Sequence, residues 1–423
     1  MNNFLSKLSL VIRDKSLRNR LFFLLGMLAV FRVLATIPIP GIDIAKLEQF
    51  FSNNQLLGLL NIFSGGGLSN LSIIMLGVGP YITASIIMQL LTVLSPKLKQ
   101  MYMEEGEAGR KRFGQYSRIL TVPLAFIQGF GFLILLERQG IISHLGGFDF
   151  AVNLIVIVAG SVLLTWLGEL ITEFGIGNGV SIIIFAGIVA GLPTTISRLI
   201  FTFDPSQIPL YISFLVVAAV IIAAVVTVTE AERPIPVTYS KRVRGSKMYG
   251  GISTYLPLRV NQAGVIPIIF ALSILLFPQM IFSFLSQTGV SILNSIGTFV
   301  TSALANQWVY GSLYFILVFV FTYFYTAVTF DPDSISSNLQ KNGAFIPGVR
   351  PGQSTSLHIS KVLVRITFVG ALFLAFIAIL PLIMQGITGI QALALGGTAL
   401  LIVVSVVLDL IRKIDAQISM REY

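Results

Sequence analysis

Residues 77–86, GVGPYITASI, and residues 264–274, GVIPIIFALSI, carry one figure twice: Gly-Val-x-Pro-x-Ile, running on into small and apolar residues. Each belongs to an apolar run long enough to cross a hydrocarbon core of about 30 Å, which takes about twenty helical residues. The rest of the chain is of the same kind. Its 423 residues are 55% hydrophobic and only 11% charged, against roughly 25% charged in a soluble domain. With a mean hydropathy of +0.88, the polar residues cannot cover a soluble surface, and the composition points to an integral membrane protein. Ten candidate spans follow: 20–37, 72–94, 117–136, 151–172, 177–196, 207–229, 263–286, 310–330, 363–384 and 390–411. The basic start, MNNFLSKLSLVIRDKSLRNR, is too long for the n-region of a signal peptide, so the first run reads as a retained span.

Loop charge sets the orientation. With the ends of the spans alternating between two sides, the side of the N-terminus collects 24 of the 28 Lys and Arg residues. The other side receives Lys46, Arg138 and Arg198, and Arg32 lies within the first span. The positive-inside rule makes the rich side cytoplasmic, and both termini with it. The formal net charge of +10 is therefore mostly a topology signal. Ten spans with both ends on one side divide into halves of five, residues 1–200 and 201–423. An odd number per half turns the second half upside down, as in inverted repeats. The repeated figure then opens the second helix of each half. Spans five and ten echo more faintly, with Gly179 five residues before Ile184 and Gly397 five before Ile402.

The chemistry of most enzymes is missing. There is no cysteine, which excludes disulfides, thiolate metal sites and cysteine nucleophiles. His144 and His358 fall in predicted loops far apart. No Walker motif is present, and no cofactor is expected. Charges inside a membrane normally mark ion or proton paths. Only Arg32, Glu169, Arg365 and Asp409 approach that description, the last three near span ends. What fills the spans is aliphatic. Val78 and Ile82, Val180 and Ile184, Ile269, and Ile402 sit on spans two, five, seven and ten. They read either as packed helix core or as a hydrophobic constriction that closes by dewetting. Thr83, Ser85, Gln128, Asn261 and Gln262 either line a path between spans two, three and seven or hydrogen-bond across helices.

Residues 58–70, GLLNIFSGGGLSN, are too short to span and are broken by three glycines. They read as a re-entrant segment, which irregular backbone at membrane depth permits only against protein or a watery cavity, or as a flexible loop. Two cytoplasmic loops, about 230–262 and 331–362, are longer than a helix connection needs. The first alternates enough to predict a β-hairpin around Arg244-Gly245. Both are rich in basic residues and read as solvated topology signals or as a docking platform for an acidic partner or RNA.

Taken in order, IPIPG (37–41), NIFSGGGLSNLSI, GVGPYITASIIMQLLT, EEGEAGRKRFGQYSR (104–118), WLGELITEFGIGNGVSIIIFAGIVAGLP (166–193), ERPIPVTYSKR, STYLPLRVNQAGVIPIIFA and GAFIPGVRPGQST resemble the SecY family, the channel subunits of the general protein-export translocon. The IPVTY and PGVRPG loops are similar to its bacterial form. The resemblance implies an all-α membrane protein of ten transmembrane helices, whose two inverted five-helix halves close like a clamshell on a central pore. It implies a pore ring of Val78, Ile82, Val180, Ile184, Ile269 and Ile402. Valine at 78 and 180, where the family often has isoleucine, implies a slightly wider ring. It implies a plug of Asn61, Ile62, Phe63, Ser64, Gly65, Gly66, Gly67, Leu68, Ser69 and Asn70. Spans two and seven, with the five polar residues above, become a lateral gate through which signal peptides and membrane segments meet the lipid bilayer. Lys241, Arg242, Arg244 and Arg350 become docking residues for the motor ATPase SecA or a translating ribosome. SecE and SecG are the implied partner subunits, the bacterial plasma membrane the implied location, and passage of unfolded nascent chains the implied, non-enzymatic function. An ion-coupled transporter lacks mid-span charges here, and an intramembrane hydrolase lacks a catalytic pair. An insertase without a through-pore is separated from a channel by leakage after plug removal.

Overall fold

The computed structural model describes residues 14–40, 64, 66–68, 70–138, 140–142, 146–201, 208–240, 242–244, 247–249, 253–285, 291–388 and 391–419. Helices dominate. The first half holds α1 (Lys15–Thr36), α2 (Gly79–Leu94), α3 (Pro96–Met103), α4 (Gly106–Arg138), α5 (Gly147–Phe174) and α6 (Gly179–Phe201). After α7 (Ile208–Glu230) come strands β1 (Glu232–Tyr239), β2 (Arg242–Arg244), β3 (Lys247–Tyr249) and β4 (Ser253–Arg259). Then follow α8 (Ile266–Leu285), α9 (Ser291–Ala305), α10 (Gln307–Thr329), α11 (Pro332–Lys341), β5 (Ala344–Phe345), α12 (Gln353–Thr388) and α13 (Gln391–Ser419).

Each apolar run read as a span falls on a helix, with one difference. The run from 72 begins as turns, and α2 starts only at Gly79. By length and composition, five helices among the described residues can cross a membrane, and a sixth if α2 and α3, bent by 113°, count as one. The described apolar parts of α6, α7 and α8 are shorter, so ten crossings stay a reading of the sequence. The bend has a local cause. Ser95 is extended (φ −117°, ψ 111°), as the residue before a proline prefers, and Pro96 opens the next helix. At 1.5 Å per residue, the 36 residues of α12 extend about 54 Å, well beyond the bilayer core. Its first turns carry His358, which the sequence reading had placed in a loop.

Those projecting turns help to build a small sheet-containing domain. β1 pairs antiparallel with β4 from Glu232↔Arg259 to Thr238↔Ser253, and with β5 through Thr238↔Phe345 and Tyr239↔Ala344. The two loops, separated in sequence by α8, α9 and α10, thus share one sheet of order β4-β1-β5. Its own core joins Ile235, Val237, Leu258, Ala344, Ile346 and Ile359. The expected hairpin is present beyond it, with β2 and β3 paired through Arg244↔Lys247.

Two apolar cores organise the helices. A large one joins α1, α2, α5, α6, α7, α8, α10, α12 and α13. A smaller one packs Leu68, Leu71, Met75 and Leu76 against α4 and α5. The principal contacts between the two halves run along α8 with α2 and α4, and along α13 with α6. Lipid is as apolar as leucine, so helix association in a membrane depends on close packing. Two of the close approaches are made at glycines. A Cβ on Gly160 of α5 would lie 2.0 Å from the carbonyl oxygen of Ile73, and one on Gly370 of α12 would lie 2.4 Å from that of Val260.

Candidate pore, gate and docking residues

The repeated figure is one device for starting a helix. Gly77 (φ 59°) and Gly264 (φ 62°) both take the left-handed conformation, which glycine adopts without steric cost. Val78 and Val265 follow, and Pro80 and Pro267 sit in the first turn, where a missing N–H costs nothing. The amide of Ile82 then donates to Val78 (3.0 Å) and that of Ile269 to Val265 (3.3 Å). The buttresses match too. Ile73 and Val260, each four residues before the turning glycine, present the carbonyls on which Gly160 and Gly370 pack. Along α5, positions 157, 160, 161, 164, 165, 167 and 168 are buried, and the positions 210 residues later on α12 are buried as well. Ser161 Oγ also donates to the Gly77 carbonyl (3.0 Å). Sequence reasoning passed over Gly160 and Gly370; small residues inside an apolar helix were the signal.

The two devices aim aliphatic side chains at one place. Val78, Ile82, Ile184, Ile269 and Ile402 are 0%, 5%, 1%, 7% and 1% exposed and lie in the same large cluster, with Val180 packed against it. They come from α2, α6, α8 and α13, the helices along which the halves meet. Such a set can exclude water without binding any particular solute.

Of the ten residues expected in the plug, Asn61, Ile62, Phe63, Gly65 and Ser69 lie outside the described residues. The others form a compact turn. Leu68 donates its amide to Ser64 Oγ (2.9 Å), and Ser72 donates its amide to Gly67 (2.8 Å). A Cβ on Gly67 would lie 2.8 Å from Ser72 Oγ and 3.2 Å from two carbonyl oxygens, so any larger residue would crowd the turn. The end of α1 grips this turn. Ile39 donates to Leu71 (2.9 Å), Ile73 donates to Ile37 (3.0 Å), and Asn70 Nδ2 donates to the Ala35 carbonyl (3.3 Å). Leu68 and Leu71 are buried in the smaller core.

At the α2–α8 seam the polar groups make local bonds. Thr83 Oγ1 donates to Gly79 (3.1 Å), and Ser85 Oγ accepts from Gln89 Nε2 (3.2 Å). Asn261 Oδ1 accepts from the Gly264 amide (2.9 Å) and so shapes the turn before α8. Gln128 on α4 and Gln262 in that turn are half-buried. An ion pair that the sequence reading did not single out, Arg118 Nε to Glu169 Oε1 at 2.8 Å, ties α4 to α5.

On the sheet-containing domain, Arg350 is exposed and its backbone is fixed. Its carbonyl accepts from Thr355 Oγ1 (2.8 Å), and Ser336 Oγ donates to Gly352 (2.6 Å). Arg242 and Arg244 lie on β2 of the hairpin; Lys241 lies outside the described residues.

The family model for SecY matches residues 72–411, which hold the figure in both copies, all six aliphatic residues and the sheet-containing domain. The chain belongs to the SecY family. It is 43% identical to the protein translocase subunit SecY of Escherichia coli K12, over 96% of this chain and 93% of that one. Two solved structures share its fold. One is of the SecY protein whose plug domain stabilises the closed state of the translocation channel and maintains a membrane seal, with a TM-score of 0.67 at 20% identity over 95% of this chain and 93% of that one. The other is Sec61 in the canine ribosome–channel complex from the endoplasmic reticulum, with a TM-score of 0.62 at 19% identity and the same coverage. Membership makes the chain a multi-pass membrane protein of the translocase channel family, and the apolar helices accord with that.

Proposed function

We propose that the chain is the protein-conducting channel of a bacterial plasma membrane, passing unfolded polypeptides outward and releasing membrane segments sideways. The observation that carries this reading is that six aliphatic side chains from four helices of both halves share one buried cluster, while the segment before α2 is a tight turn rather than a loose loop. Residues 1–200 and 201–423 act as the two inverted halves, and both termini face the cytoplasm. The ring of Val78, Ile82, Val180, Ile184, Ile269 and Ile402 seals against ions by short-range contact, and it grips any passing sequence without preference. Residues 61–70 cover it as the plug. The α2–α8 seam, with Thr83, Ser85, Gln128, Asn261 and Gln262 about it, is the lateral gate for signal peptides and nascent membrane segments.

The channel hydrolyses nothing itself and assembles with SecE and SecG. Arg350, Lys241, Arg242 and Arg244 receive SecA or the ribosome. Because both loops share one sheet, a push on either is felt by α7, α8, α10 and α12 together. The test is single-channel conductance in a planar bilayer, comparing the intact chain with its partner subunits against a variant lacking residues 61–70. A silent intact channel and a leaking variant are expected; silence in both, with the variant folded, removes the plug from the reading.

A further inference from the structure

The one charge in the apolar stretch 21–36 of α1 is Arg32. An arginine near a helix end ordinarily reaches for lipid headgroups. Here it turns to the glycine segment: a Cβ on Gly66 (φ 84°) would lie 3.7 Å from Arg32 Nη1, with nothing else within 4 Å. One turn further along α1, Asn70 Nδ2 reaches the Ala35 carbonyl, and beyond the helix Ile37 and Ile39 bond Ile73 and Leu71. Arg32 therefore begins a continuous line of contacts between α1 and residues 66–73.

We propose that Arg32 is a positioning residue that latches the plug in its sealing place, an inference that rests on the plug reading above. The segment is suited to a releasable hold. Residues 58–74 contain no Asp or Glu, so within this segment the guanidinium can meet only carbonyl, hydroxyl and amide groups. A carboxylate would make a charge pair that is costly to break at membrane depth. Carbonyl dipoles offer charge-assisted bonds to a group with five donors, strong enough to bias the segment and weak enough to yield. The Arg32 side chain is itself exposed, so plug departure leaves no buried cation behind. Gly66 keeps the approach short, because its left-handed backbone presents no side chain to the guanidinium.

The experiment compares four channels with their partner subunits in planar bilayers: intact, Arg32→Ala, the variant lacking residues 61–70, and both changes together. Arg32→Ala is expected to raise the open probability of the intact channel about 10- to 100-fold. At 1.4 kcal/mol per decade that is about 1.4–2.8 kcal/mol, the range of a hydrogen bond to a charged group. Arg32→Lys should restore part of the closure, since it keeps the charge and loses the fork. In the variant without the plug, Arg32→Ala should add nothing, which a merely structural role for Arg32 would not produce. A leaking plug deletion beside a silent Arg32→Ala overturns the latch and leaves the plug standing, whereas silence in both overturns both. Equal added leakage with and without the plug also overturns the latch. Should Arg32 variants fail to insert, Asn70→Ala removes a hold on the same segment without altering α1. It should leak in the same plug-dependent way, and its silence counts against the line of contacts.

Discussion

Replacing Ile402 by Asn tests whether the aliphatic cluster is the seal. Ile402 is 1% exposed in the large core. Removing a buried isoleucine forfeits about 1.5–3 kcal/mol of apolar burial, and an amide left unsatisfied there costs about 1–3 kcal/mol more. Both terms weigh on the closed, dry arrangement. In an open, wetted pore the amide is hydrated and most of the penalty vanishes. The closed state should therefore lose about 3 kcal/mol relative to the open one, or about two decades in their ratio at 1.4 kcal/mol per decade. The assays are single-channel open probability and export of a secretory protein with a defective signal sequence, both of which should rise. Ile402→Val gives the scale, since about 0.5–1.5 kcal/mol predicts roughly a decade or less. Ile359→Asn is the control, because Ile359 is equally buried (0% exposed) but lies in the core of the separate sheet-containing domain. It should lower stability without opening the channel. A silent Ile402→Asn channel, or equal leakage from Ile359→Asn, would refute the ring.

Arg350→Glu reverses the charge of an exposed side chain and leaves the Thr355 bond to its carbonyl in place. SecA-driven export should fall while thermal unfolding of the purified complex is unchanged, and a normal export rate removes Arg350 from the motor site. Gly160→Leu and Gly370→Leu push into backbone at 2.0 and 2.4 Å, where overpacking costs about 1–3 kcal/mol. Both should lower the unfolding temperature in detergent, and a tolerant Gly370 would mean that the two halves are not buttressed alike. Gly264→Ala has open space around it, so its penalty of about 1–2 kcal/mol is purely conformational; Gly264→Asn should recover part of it in the same melt.

The sequence exposed whatever depends on local pattern. Apolar runs marked helices, and the alternation around Arg244-Gly245 marked a hairpin that the Arg244↔Lys247 pairing reproduces. Other features stayed hidden for physical reasons. The β1–β5 pairing joins residues about a hundred apart, and two-residue β5 has no pattern of its own. Helix α9 was passed over because its polar face, with exposed Asn294, Ser295, Thr298 and Ser302, dilutes the hydropathy of a fifteen-residue element. The α5–α12 repeat was concealed because the contact is made to a main-chain carbonyl. Any residue can supply that, here Ile73 and Val260, and only the glycines betray it. The triple glycine was ambiguous because flexibility and crowding both select for glycine. Crowding weighs at Gly67, where a Cβ would press on Ser72 Oγ and two carbonyl oxygens.

The matched helix starts bear on how a seal can open without unfolding. In each half, a left-handed glycine, a valine and a proline fix the first turn, so Ile82 and Ile269 project from the most constrained part of α2 and α8 rather than from a mobile loop. Each start is pinned within its own half: Ile73 against Gly160 of α5, and Val260 against Gly370 of α12. Ile82 and Ile269 are therefore anchored to their own halves, while the principal contacts between the halves run along α8 with α2 and α4 and along α13 with α6. Separation along those seams would part the isoleucines as two fixed jaws and leave the backbone hydrogen bonds intact. The resistance would then come from dispersion contacts, each individually small and replaceable by any polypeptide that enters between them.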